Sequence, residues 1–274
     1  LTNVSIGDGV NAVKTLNLSN STKVTSVSLP SSGKSMGTLN LSGATGITSI
    51  TNLDKHLGAL TTLYIDGTSL TGTTALDLSS NSTLTTLGLS NLENTTVKLP
   101  TSGTTLTSLT LNNVKAENLD LSTKTALTTI SLANIGEAKV KLPTTVRNLT
   151  LDNVKLDGGL DLQNYTSLTA ITLKNIEEGE LTSLPSSFTG TTLTLNNVMT
   201  DLDLTSNNTI KTLNLQNMPK GFKVKFGTND KLETLNLSQT DLSDYQKDQI
   251  TGTLSVLKNL NLNNTNIKSF DSSS

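Results

Sequence analysis

The chain has no cysteine and no tryptophan, a single histidine, a single arginine, five prolines, and aromatic residues at only 3%. Without cysteine there are no disulfides, no thiolate nucleophile and no sulfur ligands for a metal. The redox compartment is left open, because exported bacterial proteins also do without cysteine. Charged residues make up 15% and nearly cancel, for a net charge of −2. Phosphate backbones and acidic lipid are held by clustered Lys and Arg, so nucleic-acid and membrane-surface binding are excluded as expectations. No stretch approaches the roughly 18 apolar residues that would span a bilayer, so nothing transmembrane is expected within this segment. No charged-then-apolar leader opens the chain, which begins at Leu1 and closes in Asp-Ser-Ser-Ser at 271–274; it is read as a segment of a longer precursor.

Two residue classes dominate instead. About 110 of the 274 residues are Ser, Thr or Asn and about 50 are Leu. Their order is periodic. The segments LTTLGLSN (84–91), LTSLTLNN (106–113), LTTISLAN (127–134), VRNLTLDN (146–153), LTAITLKN (168–175), IKTLNLQN (210–217) and LETLNLSQ (232–239) share the pattern apolar-x-x-apolar-x-apolar-x-Asn, at steps of about 19 to 22 residues. VKTLNLSN (13–20), MGTLNLSG (36–43) and LTTLYIDG (60–67) extend the series at slightly longer steps, and LKNLNLNN (257–264) ends it, for about twelve coils.

Half a coil after each of these comes a second alternating segment: LDL at 76–78, 119–121, 160–162 and 202–204, interleaved with VKL at 97–99 and 140–142, TSL at 182–184 and VKF at 224–226. The full unit is therefore a pair of coils of about 42 residues. Alternation over three or four residues is a strand signal, so each coil is expected to carry two strands on opposite sides of a flattened tube. Pro100, Pro143 and Pro185 are expected to end the second strand on alternate coils, since proline cannot donate to a ladder. Two segments read as helical, DKHLGAL at 54–60 and SDYQKDQI at 243–250, the latter on a Ser243…Gln246 capping pattern. Stacking is required because one coil cannot bury its own leucines; the columns through Leu16, Leu39, Leu63, Leu87 and Leu109 supply most of the folding free energy. The Asn of each motif is expected at a buried turn, bonding the backbone of its own and the next coil. Twelve strands at roughly 4.8 Å give a rod or shallow arc of about 55 Å.

The motif resembles that of the leucine-rich-repeat superfamily, and more closely its exported bacterial, cell-surface members. The resemblance covers nearly the whole chain and implies a solenoid of the α/β horseshoe class, here β-dominated. One parallel sheet lies on one face, short second strands on the other, and helices are few. Residues 1–274 are expected to form a single domain, with 1–9 a partial coil, 241–270 the last coil and 271–274 a Ser-rich tail. One departure stands out: the family places Asn three residues after the last Leu of L-x-L, whereas the central coils place it two after, at Asn113, Asn134, Asn153, Asn175 and Asn197. The coils of Leu63, Leu235 and Leu260 keep the longer spacing with Thr68, Thr240 and Thr265.

The resemblance implies that the outward residues of the first sheet bind a partner. These are Thr/Asn-rich pairs flanking the middle Leu, among them Ser108/Thr110 and Thr192/Thr194. Hot spots favour Tyr, Trp and Arg, which singles out Tyr64 beside Asp66, and Arg147 with Asp152, Lys174 and Lys211 along one margin. The expected binding residues are therefore Tyr64, Asp66, Thr110, Arg147, Asp152, Lys174, Thr192, Thr194 and Lys211. On the second sheet, Asp77, Lys98, Asp120, Lys141, Asp161, Ser183, Asp203 and Lys225 alternate in a way that fixes register by opposite charge. The intervening lysines argue against calcium, which needs six to eight oxygens about one point.

No catalytic constellation is expected. His56 reads as a solvated surface histidine without a partner, Glu177, Glu178 and Glu180 as a solvated turn, and the sequons at Asn81, Asn94, Asn148 and Asn164 as a consequence of composition. No phosphate-cradling loop, metal-ligand spacing or nucleophile elbow appears. The expectation is a non-enzymatic, monomeric recognition module without metal or cofactor. It would sit on a bacterial surface or be secreted, and bind a protein or other host-surface ligand. A structural spacer is the alternative. Carbohydrate binding is weakened as an expectation, because the face has almost no aromatics for sugars to stack on, and ice binding ranks below the recognition and spacer readings, because among the outward pairs only Thr192-Leu193-Thr194 gives the Thr-x-Thr spacing.

Overall fold

The computed structural model describes the whole chain except residues 11, 33–35, 72–74, 102–104, 117–118, 178–180, 186–187, 229–230, 247 and 270–274. The expected tail at 271–274, with Glu178 and Glu180, therefore lies outside the described residues. The chain packs as two compact units, Leu1–Pro143 and Thr144–Ser274.

In the first unit, six strands line one face: Thr15–Asn17, Thr38–Asn40, Thr62–Tyr64, Thr86–Lys98, Ser108–Ala116 and Thr129–Ala133. Neighbours are parallel and in motif register, so Leu16 faces Leu39, Leu39 faces Leu63, Leu63 faces Leu87, Leu87 faces Leu109 and Leu109 faces Ile130. From Leu39 onward these side chains are at most 1% exposed. Apolar residues two positions apart point to the same side of a strand, which is why a second buried row, Leu41, Ile65, Leu89, Leu111 and Leu132, runs beside the first.

Short parallel pairs form the other side of the coil. Asn3–Ser5 pairs with Ser26–Ser28, and Ser26–Ser28 with Ser49–Thr51, so residues 1–9 do supply a partial coil. Ala75–Asp77 and Leu119–Asp120 pair with the segments that carry VKL. Thr86–Lys98 is long enough to serve both sides, pairing with Thr62–Tyr64 at its start and Ala75–Asp77 at its end.

The second unit repeats the plan with Asn148–Asp152, Ala170–Ile176, Thr192–Val198, Thr212–Gln216, Thr234–Asn236 and Asn259–Asn261. Leu160–Asp161 pairs with Leu181–Ser183 behind them. Leu202–Leu204 pairs with Val224–Thr228, and that strand with Ile250–Thr253. This is the leucine-rich-repeat solenoid expected from the motif, with two strands per coil.

Three local expectations are corrected. First, residues 53–59 are helical as anticipated, as Leu53–His56 followed by the 3-10 turn Leu57–Ala59, but the described residues of 243–249 are turns and irregular chain, with no helix. The Ser243 amide is taken by the Asp241 carboxylate at 3.0 Å and the Gln246 amide by Gln249 Oε1 at 2.7 Å. Ile250 is already in a strand, and the Gln249 carbonyl accepts from Val224 at 2.6 Å. Two isolated turns, closed by the Tyr245 amide on the Leu242 carbonyl at 3.1 Å and the Gln249 amide on the Gln246 carbonyl at 3.0 Å, stand in place of a continuous helix.

Second, the motif Asn is not buried. Asn91, Asn113, Asn134, Asn153, Asn175, Asn197 and Asn217 all have φ near +50 to +57°, and Asn134, Asn153 and Asn175 are exposed. Asparagine tolerates this left-handed conformation better than other non-glycine residues. The long coils turn at the same place, with Gly43 and Gly67 at φ 68° and 72° and Gln239 at 64°. What differs in the long coils is the next residue: Thr68, Thr240 and Thr265 are buried, and their hydroxyls donate to the carbonyls of Ile65, Leu215 and Leu262.

Third, His56 is not solvated. It is 2% exposed, with Nε2 3.0 Å from the Pro30 carbonyl. Two other buried groups do the same for prolines that follow a second strand. Lys124 Nζ donates to the Pro100 carbonyl at 2.5 Å, and Asn207 Nδ2 to that of Pro185 at 2.9 Å. Each reaches back one coil to satisfy a carbonyl at the point where proline stops the ladder. Burial pushes the Lys124 ammonium below its ordinary pKa, opposed by the nearby Asp120 carboxylate.

Candidate functional site

The first-sheet face is built on the buried leucine rows, since fixing every second residue inward leaves the others outward at a set spacing. Many of its polar groups are already used by the fold. The Asn side chain between the two leucines closes the following turn: Asn17 Oδ1 accepts from the Ser19 amide, Asn40 Oδ1 from Ser42 and Asn236 Oδ1 from Ser238, each at 3.0 Å. Along the margin where the strands begin, each threonine hydroxyl donates to the carbonyl one coil back. Thr61 reaches Gly37 at 2.9 Å, Thr85 reaches Thr61 at 2.9 Å and Thr107 reaches Thr85 at 3.0 Å. Threonine is abundant here in part because it ties neighbouring coils together.

In the first unit the structure brings three expected residues into one patch. Tyr64, Gly88 and Thr110 are successive partners in one outward row, so Thr110 stands two strands from Tyr64, roughly 10 Å away at about 4.8 Å per strand. One edge of the Tyr64 ring occupies the space beside Gly88: a Cβ there would be 2.4 Å from its Cδ1 and 2.8 Å from its Cε1. The same position is 3.3 Å from Asp66 Oδ1, which also accepts from the Ser42 hydroxyl at 3.0 Å. The part played by Gly88 was not legible in the sequence, where it is one glycine in a strand; its signal is the pairing of an outward glycine with an outward tyrosine 24 residues earlier.

In the second unit the residues expected along one margin divide between two. Arg147 and Lys211 precede their strands, and their carbonyls accept from Thr169 and Glu233 one coil on, at 2.8 and 2.9 Å. Asp152 and Lys174 are register partners at the far end of the strands. A five-residue strand of roughly 3.3 Å per residue separates the two groups. Asp152 Oδ1 also starts an amide ladder, accepting from Asn175 Nδ2 at 2.6 Å, while Asn175 Oδ1 accepts from Asn197 at 3.0 Å. Thr192 pairs with Thr212 and Thr194 with Asn214, whose Nδ2 donates to the Thr194 hydroxyl at 3.2 Å.

The second-sheet charges stand in the expected register. Asp77 faces Lys98 and Asp203 faces Lys225, with ion-pair distances of 3.9 and 3.8 Å, and Asp120 faces Lys141. Ser183 is the register partner of Asp161, its side chain lying outside the described set, as does that of Asn94. The aspartates have a second task that the sequence reading missed. Oδ1 of Asp77, Asp120, Asp161 and Asp203 accepts the amide two residues on, at 2.9 to 3.0 Å. Hydrogen bonds from Ser79, Ser122 and Thr205, with the facing lysines, hold the carboxyls of Asp77, Asp120 and Asp203 below the ordinary value of 3.8. Because the folded pKa is depressed, the stabilisation is complete above that value and is lost as pH falls below it. Asp120→Lys is expected to lower the melting temperature modestly, since it removes the turn acceptor and sets like charges beside Lys141. Asp120→Asn, which keeps the acceptor as Asn40 does, should lower it less. Equal losses in a thermal melt would show that the turn bond contributes nothing.

Two cavities, of about 340 and 250 Å³, lie among loops of the second unit and share Lys220 and Gly221. Their charges are mutually satisfied in part, with Lys220 2.5 Å from Asp244 and Lys223 2.7 Å from Asp248. Among the described residues there is no group of three or more His, Cys, Asp or Glu placed to hold a metal ion, and no helix long and apolar enough to cross a membrane.

No protein-family model and no curated protein matches this chain. Among solved structures, the functional domain of InlJ from Listeria monocytogenes, which includes a cysteine ladder, is similar at a TM-score of 0.54 and 23% identity. The match covers 94% of this chain and 64% of that one, so the chain spans less than two thirds of the domain it resembles. The likeness is one of fold; a chain without cysteine has no counterpart of that ladder.

Proposed function

We propose that residues 1–274 act as one non-enzymatic recognition domain of an exported or surface-displayed bacterial protein, binding a protein or other host-surface partner through the outward rows of the first sheet. The reading needs neither metal nor cofactor and takes the protein as a monomer. The observation that carries it is the row Asn40, Tyr64, Gly88 and Thr110, where side chains are held in register by fully buried leucines beneath them. A rigid backbone presenting an aromatic anchor lowers the ordering cost of binding. The likeness to a domain of InlJ supports the surface setting as an analogy of fold.

A stiff spacer is favoured by one specific feature, the ladder Asn197–Asn175–Asp152, which spends face-edge polar groups on holding coils together. The two readings separate on a double variant, Tyr64→Ala/Arg147→Glu. Both side chains stand clear of the leucine rows, so the variant should fold, and its adhesion to host cells should fall at least about tenfold if these are hot spots. Full adhesion by the folded variant would remove these residues from the binding surface.

A further inference from the structure

The Tyr64 patch carries more than an aromatic anchor. The ring rests where a side chain of residue 88 would stand. Around it, three polar groups have no partner among the described residues: the Tyr64 hydroxyl, the second carboxylate oxygen of Asp66 and the amide NH2 of Asn40. Asn40 Oδ1 is bound by the Ser42 amide, and Asp66 Oδ1 by the Ser42 hydroxyl. Ser42 therefore orients both side chains and leaves one donor and one acceptor unused. Apart from Asp66, the outward positions of this row and the one beside it are uncharged: Thr38, Thr62, Thr86, Asn40, Gly88 and Thr110. The two described cavities lie in the other unit.

An aromatic ring on the outward row of a sheet, with a carboxylate oxygen and an amide donor beside it in hydroxyl-rich surroundings, matches a particular chemistry. Its ligand has an apolar face to stack and hydroxyls at its edge to bond. A peptide anchor wants a desolvated pocket closed by a surrounding ring of contacts, whereas a pyranose ring wants a platform with donors and acceptors at its edge. Resting on the recognition reading above, we propose that Tyr64, Asp66 and Asn40 form a subsite for a neutral hexopyranose residue of a glycan, and that Gly88 sets its specificity by leaving room for the edge of the Tyr64 ring.

The test uses the full chain with methyl β-D-galactopyranoside, methyl β-D-glucopyranoside and N-acetyllactosamine as probes, read by NMR of labelled tyrosine rings. The chain has three tyrosines, so Tyr64 is resolved from Tyr165 and Tyr245. The expected result is a saturable shift of the Tyr64 ring protons with at least one probe, the other two tyrosines unmoved. Tyr64→Ala should weaken that probe about tenfold, the scale of an aromatic contact. Gly88→Ala should weaken it comparably while changing the melting temperature little, because the ring edge it meets belongs to an outward side chain that can swing away from the leucine rows. Tyr64→Phe, which keeps the ring, should weaken it only a few-fold. Absence of a Tyr64 shift with all three probes, or unchanged binding in Gly88→Ala, overturns the proposal. Adhesion to host cells whose glycans have been oxidised by periodate tells its failure from that of the broader reading. If adhesion survives oxidation yet is lost in Tyr64→Ala, the face binds a protein and the glycan subsite is wrong. If neither treatment reduces adhesion, the recognition face itself is misplaced.

Discussion

Asn81→Leu is expected to destabilise the protein by about 3 kcal/mol. Asn81 is 1% exposed, and its Nδ2 donates to the carbonyls of Leu57 and Leu60 at 2.5 and 2.9 Å. Its Oδ1 accepts from the amides of Thr83 and Leu84 at 2.8 and 2.6 Å. One side chain thus satisfies two carbonyls of one coil and two amides of the next. Leucine has a similar size but leaves the carbonyl of Leu57 and the amide of Leu84, both on buried residues, without partners, each costing about 1–3 kcal/mol before relaxation, while the Leu60 carbonyl keeps the Thr83 hydroxyl at 3.1 Å. Urea unfolding of the wild type and variant measures the difference. As a control, Asn113→Gly replaces a motif asparagine at φ 51° with the residue best suited to that conformation. It should change the midpoint little, although the Asn113 to Asn91 contact at 3.0 Å is lost. If Asn81→Leu and Asn113→Gly cost the same, the distinction between the buried polar position and the exposed turn is mistaken.

The second large effect is expected from Leu109→Ala. Leu109 is fully buried between Leu87 and Ile130 in the row that runs through the first unit. Truncation removes three carbons and leaves a cavity that neighbouring coils cannot close without breaking register, for a cost of about 2–5 kcal/mol. Each coil touches only its neighbours, so the damage should be local in the first instance. Amide exchange should accelerate most in the strands of Leu87, Leu109 and Ile130. Leu260→Ala offers the contrast, because Leu260 is already 38% exposed and has little burial to lose. A uniform rise in exchange across both units would argue against nearest-neighbour stacking as the source of stability.

Much of the surface reading depends on which polar groups remain unused. The threonine hydroxyls of residues 61, 85 and 107 bind carbonyls one coil back, so a high Thr content in this fold is not by itself a sign of ligand binding. Tyr64, Asp66 and Asn40 each keep a group that the fold does not use, and what sets them apart from other outward positions is that a tyrosine ring stands among them.

The sequence by itself determined the coil, its two strands and their register. Alternation and the recurrence of L-x-L are local patterns repeated about twelve times, and a one-residue slip would turn every leucine outward. It placed Tyr64, Asp66 and Thr110 on one face, and it paired Asp77 with Lys98 and Asp203 with Lys225, because those positions follow from counting along the repeat. Tertiary structure decided which polar residue at each turn points inward. His56, Lys124 and Asn207 have little in common as residue types, yet each is buried against a proline carbonyl contributed by the coil before. The motif asparagines look like the interior ladder but occupy an exposed left-handed turn. Tertiary structure also separated Arg147 and Lys211 from Asp152 and Lys174, and set an edge of the Tyr64 ring against Gly88. The reason is the same in each case: burial of a turn residue and the lie of a side chain are set by atoms some 20 to 26 residues away in the adjoining coil, which the order of neighbours in the chain does not encode.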